Sequence, residues 1–542
     1  MKKIAFVSMG AMMLALSLAG CGKKADIPDN KEMDHYEITI SCQKGDEEDV
    51  LETLIAAYAE KNPKVKINIE SFPVGDFETH MNQISELEAT NPEETPHIIW
   101  TSDTTHARWE SYFTDLRPFY ERSTETDYSL YHASMLDTAA INGRFKPTKN
   151  YTGSFRSDEL DANSDGFESY NNHSEHGLFF APRDYNKPTI LCNLGLFDDL
   201  DAQYEEYYKQ KNGVSEMPTD YVSTTARIED IVAGNNWDDL TDLFAFAKGA
   251  AEKVVYIVDH ASSLGTKGQK VKNLWANRTV LDMKLTWEPT YTTVLTAMGV
   301  DGIVKEDGSL DLARHKATLE TLHGYIEGKN LYYAALDDNS FKNNETFMKV
   351  VSRPAMVAAT SNLRQQQADY VEKYNRTPLQ ALSVPVENIA AGCSGYAINN
   401  LYEGKGITVD GVYKSYADIC WDFIKFIITH DGQEVAGATG NNVPILKSLY
   451  SAETNGGVTP AWREVEGLAH MDHDAWIAGG ELVQDWFNCY KAANRISFRD
   501  TIQAFFRSFQ TSDYASGGDL DALLSKTNNN YAAINPQSCL RK

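Results

Sequence analysis

The stretch YEITISCQKGDEEDVLETLIAAYAEKNPKVKINI, residues 36–69, decides the fold class. Its first part, residues 36–42, alternates and is rich in β-branched side chains, which predicts a strand. Residues 46–61 carry apolar side chains at helical spacing behind four acidic residues, and acids favour the positive end of a helix dipole. Asn62-Pro63 ends this helix, and the alternating residues that follow predict a second strand.

The same succession of elements continues outward from this stretch. Further strands are predicted at 97–100, 189–193, 355–359, 381–384 and 395–398, and helices at 77–90, 237–248, 287–330 with a turn at 299–308, 416–429 and through most of the last hundred residues. Strands that alternate with helices predict an α/β fold with parallel sheets. Residues 141–177 break the pattern because they are rich in Asn, Ser, Asp and Gly, and we expect an exposed insertion there.

The N-terminus has the features of an export signal. Lys2 and Lys3 precede an apolar run, residues 4–18, which is too short for a transmembrane helix, and small residues then precede Cys21. This pattern predicts a bacterial lipoprotein signal, residues 1–20, that is cut before Cys21, whose thiol then carries lipid. An ordinary signal peptide with a chance cysteine is the alternative. Residues 21–35 are polar and are predicted to form a flexible tether, so the body works on the extracellular face of the cytoplasmic membrane.

Composition restricts the function of the body. The chain has 542 residues and a formal net charge of −27, which argues against nucleic acid as a partner because such binding needs a basic surface. The length suggests at least two domains, and no second long apolar run appears. The six other cysteines lack metal-binding spacing, and we expect buried free thiols; the sequence leaves disulfides open.

Several segments carry a family resemblance. They are HIIWTSD (97–103), FAPRDY (180–185), WDDL (237–240), FMKVVSRPAMVAA (347–359), AGCSGYAI (391–398) and NVPILKS (442–448). Each is weak alone, but in this order and behind a lipoprotein signal the chain resembles extracellular solute-binding proteins of family 1, the maltose-binding-protein-like receptors of ABC importers. The insertion at 141–177 departs from the family pattern and its role stays open.

The resemblance implies a two-lobed periplasmic-binding-protein-like α/β fold, with hinge crossovers and a ligand cleft between the lobes. The first lobe takes residues 36–182 and 396–442, and the second takes 183–395 and 443–542. The implied function is capture of a sugar, an oligosaccharide above all, by cleft closure, and its delivery to the importer's permease subunits. We expect a monomer and no catalytic residue. The identity and chain length of the ligand stay open.

Candidate ligand-binding residues follow the predicted strands, because ligands in open α/β sheets lie beyond the carboxyl ends of strands. The candidates are Lys44, Asp46, Trp100, Ser102, Asp103, Asp184, Tyr185, Asn186, Trp287, Tyr291, Thr360, Ser361 and Ser394. Polar side chains would bind sugar hydroxyls and aromatic rings would stack on the sugar's apolar faces. The alternatives are helix capping for Asp46 and Asp103, hinge packing for Tyr185, and core packing for Trp100, Trp287 and Tyr291.

The insertion contains one further constellation. Asp161, Asn163 and Asp165 alternate before a glycine, with the carbonyl of Phe167 in the next ligand position, as in the first half of a calcium loop. Asn172 stands where that loop needs a bidentate Glu. A structural calcium ion and an acidic surface turn therefore both remain interpretations of residues 161–172; we expect no other cofactor.

Two rival functions belong to other classes. A surface-anchored carbohydrate hydrolase needs only a pair of well-placed carboxylates, although no G-x-S-x-G or H-E-x-x-H motif is present. A sensory or adhesion lipoprotein could use the same fold without transport.

Overall fold

The computed structural model describes residues 27–103, 105–140, 145–148, 151, 177–234, 237–305, 309–326, 331–332, 336, 339–374, 377–477, 482–483, 495–510 and 519–533. The strands in chain order are β1 (Asn30–Glu32), β2 (Tyr36–Gln43), β3 (Val65–Phe72), β4 (Ile98–Ser102), β5 (Ala181–Pro182), β6 (Thr189–Asn193), β7 (Thr279–Asp282), β8 (Leu331–Tyr332), β9 (Thr346–Val351), β10 (Leu379–Ser383), β11 (Ile389–Ala390), β12 (Ser394–Ile398), β13 (Gly406–Val409), β14 (Val412–Ser415) and β15 (Leu482–Val483).

The helices in chain order are α1 (Asp46–Lys61), α2 (Phe77–Thr90), α3 (His106–Trp109), α4 (Arg117–Tyr120), α5 (Ala133–Thr138), α6 (Leu194–Asn212), α7 (Thr224–Val232), α8 (Leu240–Ser263), α9 (Gln269–Ala276), α10 (Glu288–Ala297), α11 (Lys316–Ile326), α12 (Asn339–Lys342), α13 (Arg353–Tyr374), α14 (Tyr416–Ile428), α15 (His430–Ala438), α16 (Arg495–Gln510) and α17 (Leu520–Ala533). Helices thus separate most of the strands, as the apolar periodicity predicts.

The first sheet has the strand order β3-β2-β4-β12-β5. β2 runs parallel to β3 and β4, whereas β12 is antiparallel to β4 and β5. Apolar side chains of the sheet, α1 and α14 share one core, which includes Ile40, Leu54 and Phe423. Gly395 on β12 leaves no room for a side chain, because a Cβ atom there would lie 1.9 Å from the carbonyl oxygen of Ala181. This close approach joins two chain segments more than 200 residues apart.

The second sheet has the strand order β10-β6-β9-β7-β8. β7, β8 and β9 are mutually parallel, and β6 is antiparallel to both β9 and β10. Thr189, the first residue of β6, pairs with Val351 at the end of β9 and with Ser383 at the end of β10. A second core, which includes Leu243, Tyr291 and Phe506, surrounds this sheet.

Two of the chain segments that join the sheets lie side by side, and we call them crossovers. The first crossover runs from β5 to β6 and the return crossover runs from β11 to β12. Asn186 and Gly392 face each other across them, and each backbone N–H donates to the other residue's carbonyl, at 2.8 Å and 2.7 Å. The carboxyl end of β4 pairs with the start of β12, and β7, β8 and β9 end level with the start of β6. The carboxyl ends of the parallel strands in both sheets therefore point toward the crossovers.

Two sequence-based expectations need correction. Residues 355–359, predicted as a strand, lie in α13; the strand of this region is β9, which ends at Val351. The predicted tether ends early, because Asn30–Glu32 forms β1 and pairs with β13. Residues 443–477, which we assigned to the second lobe, contact both sheets: Ile445 packs in the first core, whereas the hydroxyl of Thr189 on β6 donates to the carbonyl of Ala475 at 3.2 Å. The lobe boundaries stay a prediction.

The remaining expectations concern thiols, membrane spans and metals. Cys42, Cys192, Cys393 and Cys420 are buried free thiols, as predicted; Cys489 and Cys539 lie outside the described residues. Within the described ranges no helix is long and apolar enough to cross a bilayer. No group of three His, Cys, Asp or Glu side chains suited to a metal occurs in that part of the chain either. Cys21 and the calcium candidates at 161–172 lie outside the described residues.

Candidate functional site

The crossovers bring together side chains from three distant segments. Asp103, just past β4, donates its backbone N–H to the carbonyl of Cys393 on the return crossover at 3.1 Å. Its carboxylate stands beside Gly392, where a Cβ atom would lie 3.3 Å from it. The N-cap residue of the short helix α3 is Thr105, two residues beyond Asp103. Asp103 is only 7% exposed and lies at the carboxyl edge of the sheet, so its role as a ligand contact stays a prediction.

Ser102 lies at the end of β4, paired with Ser394 at the start of β12. The hydroxyl groups of Ser102 and Thr105 are 3.1 Å apart, and the hydroxyl groups of Thr101 and Thr105 are 3.0 Å apart. Thr101 and Thr105 are buried, whereas Ser102 is half-buried, so its hydroxyl is the one of the three that a ligand could reach. A hydroxyl can both donate and accept hydrogen bonds, which suits a ligand with hydroxyl groups.

A buried ion cluster holds the crossovers to the first lobe. Asp184 accepts hydrogen bonds from the backbone N–H and the hydroxyl of Ser394, at 2.8 Å and 3.0 Å. Arg183 is paired with Asp184 at 2.8 Å and with Glu47 of α1 at 2.9 Å. Tyr396 donates to Glu47 at 2.8 Å. We name Glu47, Arg183, Asp184, Ser394 and Tyr396 the crossover cluster.

The crossover cluster contains two carboxylates for one guanidinium. Burial is the largest effect on the pKa of Glu47 and raises it above its ordinary value. The guanidinium of Arg183 opposes this shift, and repulsion by the carboxylate of Asp184 adds to it. Burial lowers the pKa of Arg183, but Glu47 and Asp184 outweigh it and hold that pKa above its ordinary value. Asp184 and Ser394, both predicted as ligand-binding, are thus engaged with protein partners.

Tyr185 and Asn186 follow the cluster along the first crossover. Tyr185 is 1% exposed, and its ring lies 6.0 Å from the ring of His132, so the structure favours the hinge-packing alternative over a ligand platform. The backbone of Asn186 is paired with Gly392, and its side-chain oxygen is buried. Lys187, the next residue, is also buried, and burial lowers its pKa to about 7.

The aromatic candidates are placed unequally. Trp100 packs against Phe72 and Phe77, at ring distances of 6.2 Å and 6.1 Å, so it belongs to the first core. Tyr291 is fully buried in the second core, stacked on Phe506 at 5.6 Å. Trp287 remains half-buried at the start of α10, in the loop after β7. Of the predicted platforms, only Trp287 is not buried; it packs at the edge of the second core, and Nζ of Lys284 lies 5.4 Å from its ring centre.

The other candidates fall into two groups. Lys44 and Asp46 are exposed after β2, and α1 is capped by Gly45 at φ 94° without a side-chain hydrogen bond, which removes the capping role predicted for Asp46. Thr360 and Ser361 do not follow a strand: they lie inside α13, where their hydroxyls donate to the carbonyls of Met356 and Ala358. The expectation that these two residues follow a strand was therefore wrong.

The loop after β7 is held by an ion pair that the sequence analysis missed. Lys349 of β9 and Asp282 of β7 are both fully buried, with 2.6 Å between Nζ and the carboxylate. Asp282 also accepts the backbone N–H groups of Lys284 and Leu336, and Lys349 donates to the carbonyl of Leu336. The only sequence signal was a Lys and an Asp at inward positions of apolar strands.

Two sheets, two crossovers and polar side chains at the facing carboxyl edges define a class: the chain has the two-lobed fold of periplasmic sugar-binding proteins of ABC transporters. The predicted fold is therefore confirmed. The GacH receptor of Streptomyces glaucescens, solved free and with acarbose, matches with a TM-score of 0.54 at 13% identity, over 92% of this chain and 98% of that one. No family model and no curated protein sequence matches.

Two further solved structures show the same fold. The sugar-binding protein MalE of Xanthomonas citri has a TM-score of 0.52 at 13% identity, over 93% of this chain and 100% of that one. A sugar transporter protein of Rhizobium etli, solved in an open conformation, has a TM-score of 0.51 at 16% identity, over 92% and 100% of the two chains. Both likenesses concern the fold.

Proposed function

We propose that this chain is an extracellular receptor that captures a saccharide between its lobes and delivers it to an ABC importer. One observation carries the proposal: the parallel strands of both sheets end toward the same two crossovers. Side chains of the two lobes can then reach a ligand from opposite sides, and bending of the crossovers can close the lobes over it. The receptor would bind its ligand without altering it.

A saccharide suits the chemistry of this edge. Ser102 and Asp103 place a half-buried hydroxyl and a carboxylate on one side, and the half-buried Trp287 lies on the other. Structures with this fold were solved with cycloalternan, in a protein from Listeria monocytogenes, and with ribitol, in one from Agrobacterium radiobacter. The strong negative charge of the chain argues against an anionic ligand.

Location and partners follow from the sequence. The signal-like residues 1–20 and Cys21 support export and lipid anchoring, and a tethered monomer would hand its ligand to membrane-embedded permease subunits. Replacement of Cys21 by Ala would then release the protein from the membrane fraction of the producing cells.

Titration with glucose, maltose, maltotriose and maltoheptaose tests the proposed function. We expect at least one of these to bind stoichiometrically and to be recovered intact by chromatography. Asp103→Ala should weaken that binding more than tenfold, because a hydrogen bond to a charged group contributes about 1.5–3 kcal/mol. Asp76→Ala, at an exposed carboxylate that makes no cap hydrogen bond, is the matched control. Recovery of shorter sugars would indicate the hydrolase instead.

A further inference from the structure

A cavity of about 880 Å³ opens in the second lobe. Its walls are the start of α8, the end of α10, one face of α11 and the connection between β10 and β11. Its lining residues include Trp237, Asp239, Phe244, Thr321, Tyr325 and Glu387. None of the residues predicted for the interlobe site lines it, and its volume lies within the range of about 300–1,000 Å³ that is typical of small-molecule sites.

The cavity lies at the ligand edge of the second sheet. Ser383, one of its lining residues, pairs with Thr189 at the point where the chain leaves the first crossover. The carboxyl ends of β7, β8 and β9 point to this same end of the sheet. All the walls nevertheless belong to one lobe, so a ligand could occupy the cavity without closure of the two lobes.

The chemistry of the lining selects a class of ligand. The lining residues include the carboxylates of Asp238, Asp239 and Glu387 and contain no Lys, Arg or His, so an anion would be repelled. Asp239 already caps α8 through the N–H of Asp242, which leaves the positive end of that helix neutralised. Because the lining has no cationic side chain to pair with these carboxylates, they favour a ligand that has hydrogen-bond donors.

Apolar surface completes the lining. Phe244 is buried and stacks on the half-buried ring of Tyr325, with 5.3 Å between ring centres. Four threonine side chains, Thr241, Thr296, Thr318 and Thr321, add hydroxyls around this apolar floor. Carboxylates and hydroxyls around an aromatic floor match the alternating hydroxyls and C–H faces of a sugar ring. We infer that this cavity is a second saccharide site, separate from the interlobe site and independent of lobe closure.

Calorimetric titration with two trisaccharides of different charge tests this inference. The probes are maltotriose, which is neutral, and the trimer of β-1,4-linked glucosamine, which carries amines that would pair with the carboxylates. We expect one of them to bind wild-type protein at a site that Thr321→Arg abolishes, because the new side chain fills the cavity and attracts its carboxylates. Ala317→Arg adds the same charge to an exposed position of α11 outside the lining and should leave that site intact.

The outcomes separate the two sites. Binding that Thr321→Arg removes and Asp103→Ala spares supports the cavity. The inference that the cavity binds a saccharide is overturned if neither trimer binds, or if Thr321→Arg leaves the binding of both trimers unchanged. Binding that is lost in Asp103→Ala alone would still support capture between the lobes. If Thr321→Arg lowers the melting temperature by more than the Ala317→Arg control, Thr321→Val replaces it. That smaller change should weaken the cavity site severalfold, and unchanged affinity would overturn the inference.

Discussion

Two of the buried charge clusters in the described residues are built differently. The crossover cluster joins α1, the first crossover and β12, and has two carboxylates for one guanidinium. The pair of Asp282 and Lys349 joins two strands of one sheet and has one charge of each sign. The balanced pair lies within one lobe, whereas the unbalanced cluster joins the first lobe to both crossovers.

This difference assigns different roles to the two sites. Every hydrogen bond of the Asp282 carboxylate goes to the strands and loops at the ligand edge of the second sheet, including the loop that leads to Trp287. Such a pair holds a loop in one position. The crossover cluster instead has one carboxylate more than it has guanidinium groups, and the raised pKa of Glu47 makes its energy depend on pH.

Removal of the ammonium group from the balanced pair should have the largest effect. Lys349→Met leaves Asp282 buried and uncompensated, and we expect a loss of about 3–5 kcal/mol in the free energy of unfolding. Lys61→Met removes the same group from an exposed pair with Asp431 and should cost no more than about 1 kcal/mol. Denaturant unfolding of both variants measures the two losses.

A double variant sharpens this prediction. Asp282→Asn combined with Lys349→Met removes the buried charge and keeps an oxygen that can accept the N–H group of Lys284, but the N–H group of Leu336 loses its acceptor. The double variant should therefore regain part of the lost stability. If the single variant is as stable as the Lys61→Met control, the buried pair does not hold the second lobe as described.

Neutralisation within the crossover cluster should have a smaller, pH-dependent effect. Glu47→Gln keeps an oxygen that can accept from Arg183, and its NH2 group can donate to the hydroxyl of Tyr396, so we expect a change of about 1 kcal/mol. The folded-state pKa of Glu47 is raised, so the folded protein binds more protons than the unfolded chain at intermediate pH. Wild-type stability should therefore fall, relative to the variant, as the pH rises from about 4.3 through the folded-state pKa.

Denaturant unfolding at pH 4, 5, 6 and 7 measures this difference. Glu48→Gln, one residue further along α1 and outside the cluster, is the matched control and should show no such trend. A gap between wild type and Glu47→Gln that widens in favour of wild type with rising pH would show that Arg183 compensates the buried carboxylate fully.

The sequence predicts those parts of the fold in which the apolar residues have a clear local period. β2, α1 and β3 have clear alternating or helical periodicity, and the structure has them where they are predicted. The strand expected at 355–359 failed because a short run of Ala, Val and Met has no decisive period. Pro354, at the second position of α13, was the signal for a helix start.

The sequence could predict only those residues of the candidate site whose position follows from the end of a strand. Ser102, Asp103, Asp184 and Ser394 do converge, because the ends of parallel strands share one edge. The ion pair of Glu47 and Arg183 was not predicted, because two residues 136 positions apart in the chain form no local pattern. The burial of Tyr185 and Tyr291 could not be predicted, because an aromatic residue near a strand end gives the same sequence pattern whether its ring is buried or exposed.

The central claim is that the two lobes close on a saccharide that they do not alter. Small-angle scattering of the protein with and without a saccharide that binds in calorimetry tests it most directly. We expect the radius of gyration to fall on binding in wild type and to stay at its unliganded value in Asp103→Ala, with the saccharide recovered intact. A scattering curve that saturating saccharide leaves unchanged, or a cleaved saccharide, would contradict the account.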